Sequence, residues 1–229
     1  MRTYRNILVL LLAPMLVALA ACTGGGTQEL SPAQSLAAAK KRLDRTSGVH
    51  IALSTENLPN GVDGFVRADG VGTHAPAFDG DLKVAAGGID VDAGVVAVDN
   101  VVYAKLPFTT HFVRVDPADY GAPDPADLMD NRHGLSSLLT GVRHLEPGHR
   151  VRHGKQVLTQ YTGRVPGDLV ASIIPSASAD GDFGATFTVD EDHRLREAVL
   201  TGPFYPNTRD VTYTIEFDRY GTSKHVTAP

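Results

Sequence analysis

Val211-Thr212-Tyr213-Thr214-Ile215-Glu216-Phe217-Asp218 alternates apolar and polar side chains from end to end, and Phe183, Ala185, Phe187 and Val189 alternate in the same way with Gly184, Thr186 and Thr188. A period of two sends one row of side chains to a core and the other to water, the signature of half-buried antiparallel strands. The same period recurs upstream at about 50–55, 64–72, 77–86, 89–98, 101–106 and 111–115. Pro59-Asn60-Gly61, Ala75-Pro76, Gly87-Gly88, Asp99-Asn100 and Pro107 separate these runs. Asp99-Asn100 between two valine-rich runs signals a tight hairpin. Further strands are expected at about 143–152 and 156–165, turning at His153-Gly154-Lys155.

Three segments change to helical spacing. Ser31 is placed to cap a helix with Pro32 at its first position and Leu36, Ala39 and Leu43 on one face, ending before Gly48. Leu135, Leu138, Leu139 and Val142 fall at i, i+3, i+4 and i+7, and Leu169, Val170, Ile173 and Ile174 form an apolar stripe between Pro166 and Pro175. The fold class expected is α+β: a single domain built on a large antiparallel sheet with helices over one face. A long twisted sheet curls, and a gap left by the helices would be an apolar cavity.

At the amino terminus, Arg2 and Arg5 precede an apolar stretch too short to span a bilayer securely, closed by Leu19-Ala20-Ala21-Cys22. This resembles the lipobox of bacterial lipoproteins, which implies a signal peptide at 1–21 and diacylglyceryl transfer to the Cys22 sulfur. Residues 22–31, with Gly24-Gly25-Gly26, then read as the lipidated cysteine and a flexible tether, and 32–229 as the folded domain. Several acyl chains together make membrane attachment durable. The expected location is the outer face of the cell membrane.

Removing 1–21 leaves 208 of the 229 residues. Arg2 and Arg5 are the only charges lost, so the formal balance moves from −5 to −7. Such a chain offers no basic stripe for nucleic acid. Cys22 is the only cysteine, so no internal disulfide is open to it and stability rests on the core. Trp is absent and aromatics make up 7% of residues, so the interior is mainly aliphatic.

Smaller motifs extend along the whole chain. Gly80-Asp81-Leu82-Lys83-Val84, Val98-Asp99-Asn100-Val101-Val102-Tyr103-Ala104, Asp124-Pro125-Ala126 and Gly134-Leu135-Ser136-Ser137-Leu138-Leu139 occur in that order after the lipobox and tether. His153-Gly154-Lys155-Gln156, Gly163-Arg164-Val165, Ile173-Ile174-Pro175 and the closing Tyr220-Gly221 to Val226-Thr227 follow. In this order the chain resembles the mycobacterial LprG/LppX/LprA/LprF lipoproteins. The resemblance implies a curved half-barrel with helices on its concave face, enclosing a hydrophobic cavity for the acyl chains of triacylated lipids or glycolipids. It also implies transport of lipid across the cell envelope, in one branch beside a major-facilitator permease. Under the same resemblance, Leu82 looks like a match for a cavity-facing position of the LprG branch.

An acyl-chain carrier needs aliphatic walls rather than a reactive group, because burying a methylene is worth about 0.8 kcal/mol. Leu82, Val84, Val95, Leu138, Leu139, Ile173, Phe183 and Phe187 are the candidate cavity residues, with ordinary core packing as the alternative for each. An apolar void well above ~300 Å³ would favour a ligand site over ordinary packing. The segments 116–141 and 166–175, bordered by Pro and Gly, are the candidate gates.

Reactive chemistry has weak support. His144, His149 and His153 lie along a strand and its turn without cysteine partners, reading as a solvated rim rather than a zinc site. Arg and His around 143–153 could instead meet a lipid head group at the cavity mouth, although surface solvation is the commoner role. Asp90 and Asp92 read as the wet face of a strand and Asp99 as a turn residue. Ser136 and Ser137 lack the Gly-x-Ser-x-Gly pattern, since Leu138 occupies its final position. No catalytic residue, metal or cofactor is expected. The competing function is an anchored structural or adaptor lipoprotein with a filled core that binds an envelope protein.

Overall fold

The computed structural model describes residues 30–120 and 122–229. The expected signal segment, Cys22 and the tether as far as residue 29 lie outside the described residues. Helix α1 (Pro32–Arg45) begins where the capping residues require. Ser31 Oγ accepts from the Gln34 backbone N–H at 3.3 Å and Gln34 Oε1 accepts from that of Ser31 at 2.9 Å. This reciprocal box satisfies two otherwise orphaned donors and contributes about 1 kcal/mol. Leu36, Ala39 and Leu43 form its buried stripe, and Arg42 and Arg45 stand at the negative end of its dipole.

Among the described residues eleven strands follow: β1 (Gly48–Glu56), β2 (Gly64–Thr73), β3 (Ala77–Ala86), β4 (Ile89–Val98), β5 (Val101–Lys105), β6 (Val113–Val115), β7 (His149–His153), β8 (Gln156–Pro166), β9 (Asp182–Val189), β10 (Leu195–Gly202) and β11 (Val211–Asp218). They form one antiparallel sheet in the order β6-β5-β4-β3-β2-β1-β11-β10-β9-β8-β7. Helices α2 (Leu138–Gly141) and α3 (Gly167–Ile173) join α1 on the concave face of this curved half-barrel. The expected turns match their geometry. Gly87 and Gly88, and likewise Asp99 and Asn100, take positive φ at both central positions, as a two-residue hairpin of this twist demands.

Register carries one apolar face across the sheet. Ile51 opposes Phe217, Ile215 opposes Ala198, Ala198 opposes Phe187 and Phe187 opposes Tyr161, and both members of each of these four pairs are buried. On the other half, Phe78 opposes Ala97, Ala97 opposes Val102 and Val102 opposes Val115. The core therefore divides. A large cluster joins α1, α2 and α3 to β1 and β8–β11, and a smaller one gathers Phe78, Val95, Ala97, Val102, Ala104 and Ala126. The opposite face is wet: His50 Nδ1 and Nε2 lie 2.7 Å from Asp218 and 3.1 Å from Asp69, linking β1 to both neighbours.

Three local expectations are corrected. Strand β10 is absent from the alternation reading because Arg196-Glu197-Ala198 favours helix and a register shift between Leu195 and Glu197 breaks the period. The strand expected over 143–152 is confined to β7. Ahead of it only Arg143 forms a bridge, to Arg164, with His144 at positive φ and Pro147 lacking a donor. The helix expected from Leu135 begins as a 3-10 turn (Leu135–Ser137), with Ser137 Oγ donating to Gly134 O at 2.8 Å, and continues as the single turn of α2.

Candidate functional site

The Pro- and Asp-rich segment after β6 folds over the end of the sheet as a series of side-chain-capped turns. Asp116 Oδ1 accepts from Ala118 N at 3.0 Å and Asp124 Oδ1 accepts from Ala126 N at 2.9 Å. Asp130 Oδ1 accepts from His133 N at 2.7 Å and Arg132 N at 2.8 Å. These donors, with the His133 ring, hold the Asp130 carboxyl below its ordinary value. Burial has the opposite effect on Asp124, raising it against the Ala126 hydrogen bond, and neighbouring Asp127 adds to the rise.

Between this segment, strands β5–β6 and the end of α3 lies a cavity of about 920 Å³. Val102 and Ile173 are its buried floor, Val101, Val115, Pro117 and Leu128 extend the apolar lining, and exposed Arg114, Asp116, Asp127, Asp130 and His133 stand at its rim. Met129 holds the far side of the segment to the sheet. It sits over Gly72, where an added Cβ would lie 2.7 Å from Met129 Cγ. The space is an open cleft whose lining is about as polar as apolar, so it differs from the closed apolar void expected, although its volume falls in the range of ligand sites.

Of the eight candidate cavity residues, Ile173 lines this space. Leu138, Leu139, Phe183 and Phe187 are no more than 2% exposed and pack in the large cluster. Val95 belongs to the small cluster, with Leu82 half-buried against it, and Val84 is half-buried farther along β3. Residues from both candidate gate segments, among them Asp116, Leu128, Ser172 and Pro175, line the same space. Val102, Val115 and Leu128 were not singled out from sequence. The alternation of Val102 with Ala104 is the signal that points to the first.

Several of the remaining polar side chains have structural partners. Lys40 Nζ donates to Asn131 O at 2.6 Å, Asp44 Oδ2 at 2.9 Å and Ser136 Oγ at 2.9 Å. Three acceptors consume the three hydrogens of an ammonium, so this contact staples α1 to the approach to α2. His149 lies against Gln160 Oε1 at 3.1 Å, while His144 and His153 are exposed. Asp90 and Asp92 are exposed on β4, with Lys83 3.1 Å from Asp92. No helix among the described residues is long and apolar enough to cross a membrane.

The family model of the LppX_LprAFG lipoprotein matches residues 31–227. This chain belongs to that family. It is 25% identical over 184 residues to the lipoarabinomannan carrier protein LprG of Mycobacterium tuberculosis (strain ATCC 25618 / H37Rv), covering 78% of this chain and 75% of that one. LprG of Mycobacterium bovis (strain ATCC BAA-935 / AF2122/97) matches over the same span at the same identity. Among solved structures, LprF from Mycobacterium bovis superposes with a TM-score of 0.70 at 17% identity, covering 86% of this chain and 96% of that chain. LppX from Mycobacterium tuberculosis gives 0.62 at 16% identity, covering 86% and 98%. These two establish the shared half-barrel fold.

Proposed function

We propose that this protein is a membrane-anchored carrier that holds the acyl chains of a triacylated lipid or glycolipid in its concave interior and moves it across the cell envelope. The observation that supports the reading is an open cleft of about 920 Å³, with Val102 and Ile173 at its base and a mixed polar and apolar lining, in a family that includes a named lipoarabinomannan carrier. Burying a dozen methylenes there would contribute about 10 kcal/mol before ordering costs, enough to hold a lipid without a covalent bond. Cys22, acylated at the membrane, keeps the container beside its source of cargo. For the chains to reach Leu138, Leu139, Phe183 and Phe187, α2 and α3 must move off β9. The Pro- and Gly-bordered segments 116–141 and 166–175 are the parts that open.

Lipid uptake tests the reading. The full chain is mixed with a triacylglycerol bearing one fluorescent acyl chain, beside Val102→Trp, which fills the cavity floor, and Ala118→Trp, which obstructs it from an exposed position. Saturable uptake by the wild type, reduced at least tenfold in both folded variants, is expected. A wild type that takes up no lipid contradicts the proposal and favours the adaptor function.

A further inference from the structure

We propose that the edge of the sheet formed by the β3–β4 and β5–β6 turns docks on a lipid surface, and that the concave side of β3 and β4 is an apolar ramp from that surface to the cavity. The inference rests on the carrier reading and adds where cargo passes. Among the described residues, the exposed large apolar side chains are Leu30, Ile89, Leu106, Phe108, Val113 and Tyr120. Four of these, Ile89, Leu106, Phe108 and Val113, lie in or beside the β3–β4 and β5–β6 turns, whereas Tyr120 follows β6, which runs away from them. Gly94 of β4 opposes Lys105 of β5, so the chain running back from Gly94 to Ile89 and the chain running on from Lys105 to Phe108 extend toward the same end of the sheet. Both turns therefore project together.

Phe108 is the sharpest feature of that edge. The residue is 107% exposed, more than in a reference peptide, and its φ of 67° lies in the left-handed region that bulky residues avoid. Packing within the chain accounts for neither. Behind it runs a gradient of burial. Along one face of β4, Ile89 is 67% exposed, Val91 and Ala93 are half-buried, and Val95 and Ala97 are 4% and 0% exposed. Val84 and Leu82 of β3 pair with Val91 and Ala93 on the same face. The row ends in the small cluster that contains Val102, the cavity floor. An acyl chain following this face stays on apolar carbon from the edge to the cavity.

A bilayer suits these features better than a protein groove does. The apolar groups sit on separate turn tips, which penetrate a fluid interface but offer no continuous flat patch. Cys22 is eight residues from Leu30, a reach of at most about 28 Å for extended chain, so an anchored domain stays within contact of its membrane. Asp90 and Asp92 alternate to the outer face of β4 and keep insertion shallow.

The chain contains no Trp, so Phe108→Trp introduces a single fluorescent reporter. The full chain, as its host processes it, is placed in vesicles of phosphatidylcholine and phosphatidylglycerol whose acyl chains carry bromine near the head group. Glu191→Trp, in the turn between β9 and β10 at the opposite end of the sheet, serves as the comparison. Docking predicts a blue shift and at least twofold quenching for F108W, with no change for E191W. Equal quenching, or none, overturns it, and an unquenched F108W that cross-links to an envelope protein assigns the edge to a protein partner instead. The double variant Ile89→Asp, Phe108→Asp is expected to slow lipid transfer between vesicles at least tenfold while its bound lipid, weighed by native mass spectrometry, is unchanged. Transfer at the wild-type rate also overturns the docking inference. Wild-type protein that never carries lipid defeats the carrier reading whatever the reporter shows.

Discussion

Lys40 on α1 and Ser136 in the turn before α2 are joined by a 2.9 Å hydrogen bond between Nζ and Oγ, across 96 residues of sequence. The same ammonium holds Asp44 and the Asn131 carbonyl, so one side chain fixes the amino-terminal helix to the segment that bears the cavity wall. Lys40→Met would leave Ser136 and Asp44 short of a donor in a place where Asp44 Oδ1 is already buried without one. A loss of about 1–3 kcal/mol is expected, read as a lower denaturation midpoint, together with faster amide exchange over 135–141. Unchanged exchange in that segment would mean the staple does not govern it.

Gly72 and Met129 make the corresponding contact on the sheet side. A Cβ at Gly72 would meet Met129 Cγ at 2.7 Å and Ile51 Cδ1 at 3.3 Å. Gly72→Ala is therefore expected to cost about 1–3 kcal/mol by overpacking and to push the 127–130 turn away from β2. Adding Met129→Ala should restore part of the loss, a coupling that a thermal-denaturation double-mutant cycle measures.

Much of this architecture is legible in the sequence, and the reasons differ by element. The limits of β3 and β4 follow from Gly87-Gly88 and Asp99-Asn100, because few residues tolerate positive φ and these turns leave little freedom in register. Helix α1 is readable from Ser31 and Pro32, whose roles are local. Strand β10 is not. Its pairing with β9 and β11 overrides the helical preference of Arg196-Glu197-Ala198, and only tertiary contact supplies that. The site divides in the same way. Alternation indicates that Phe183 and Phe187 are buried, and helical spacing does the same for Leu138, but whether a side chain or empty space lies opposite depends on how the covering segments sit, and periodicity carries no record of that.

Buried tyrosines tie stability to alkaline pH. Tyr213 and Tyr205 share a 2.6 Å hydrogen bond between their hydroxyls, and Tyr220 donates to Leu195 O at 2.8 Å. Burial raises the Tyr213 hydroxyl far above its ordinary value, with Tyr205 adding to the rise, and burial likewise raises Tyr220. A raised folded value means the folded state keeps a proton that the unfolded chain releases. The stabilisation is present in full below about pH 10 and is lost as pH climbs from there toward the folded values, at up to about 1.4 kcal/mol per pH unit for each group. Tyr213→Phe is expected to flatten this decline while costing about 1–2 kcal/mol at neutral pH through the orphaned Tyr205 hydroxyl. Denaturant titrations at a series of pH values from 8 upward on the ordinary scale check both, and an unaltered alkaline slope would contradict the assignment.

Leu82 separates a carrier from a filled core. It is half-buried on the concave side of β3, beside Ala93 and the small cluster. Leu82→Trp should change stability by less than about 1.5 kcal/mol, because the larger ring can extend along the half-open face. Lipid uptake should fall severalfold in the same folded protein. A large loss of stability with uptake intact would place Leu82 in ordinary packing.

Carriage of lipid in the concave interior is the property on which the proposed function depends. Native mass spectrometry of the full chain, purified from its own host without added detergent lipid, weighs that cargo directly. The expected result is a protein peak accompanied by one non-covalently bound acylated lipid, which dissociates on collisional activation and is depleted in Val102→Trp. Protein that is consistently free of bound lipid, and that stays so after incubation with triacylated lipid, would contradict the account.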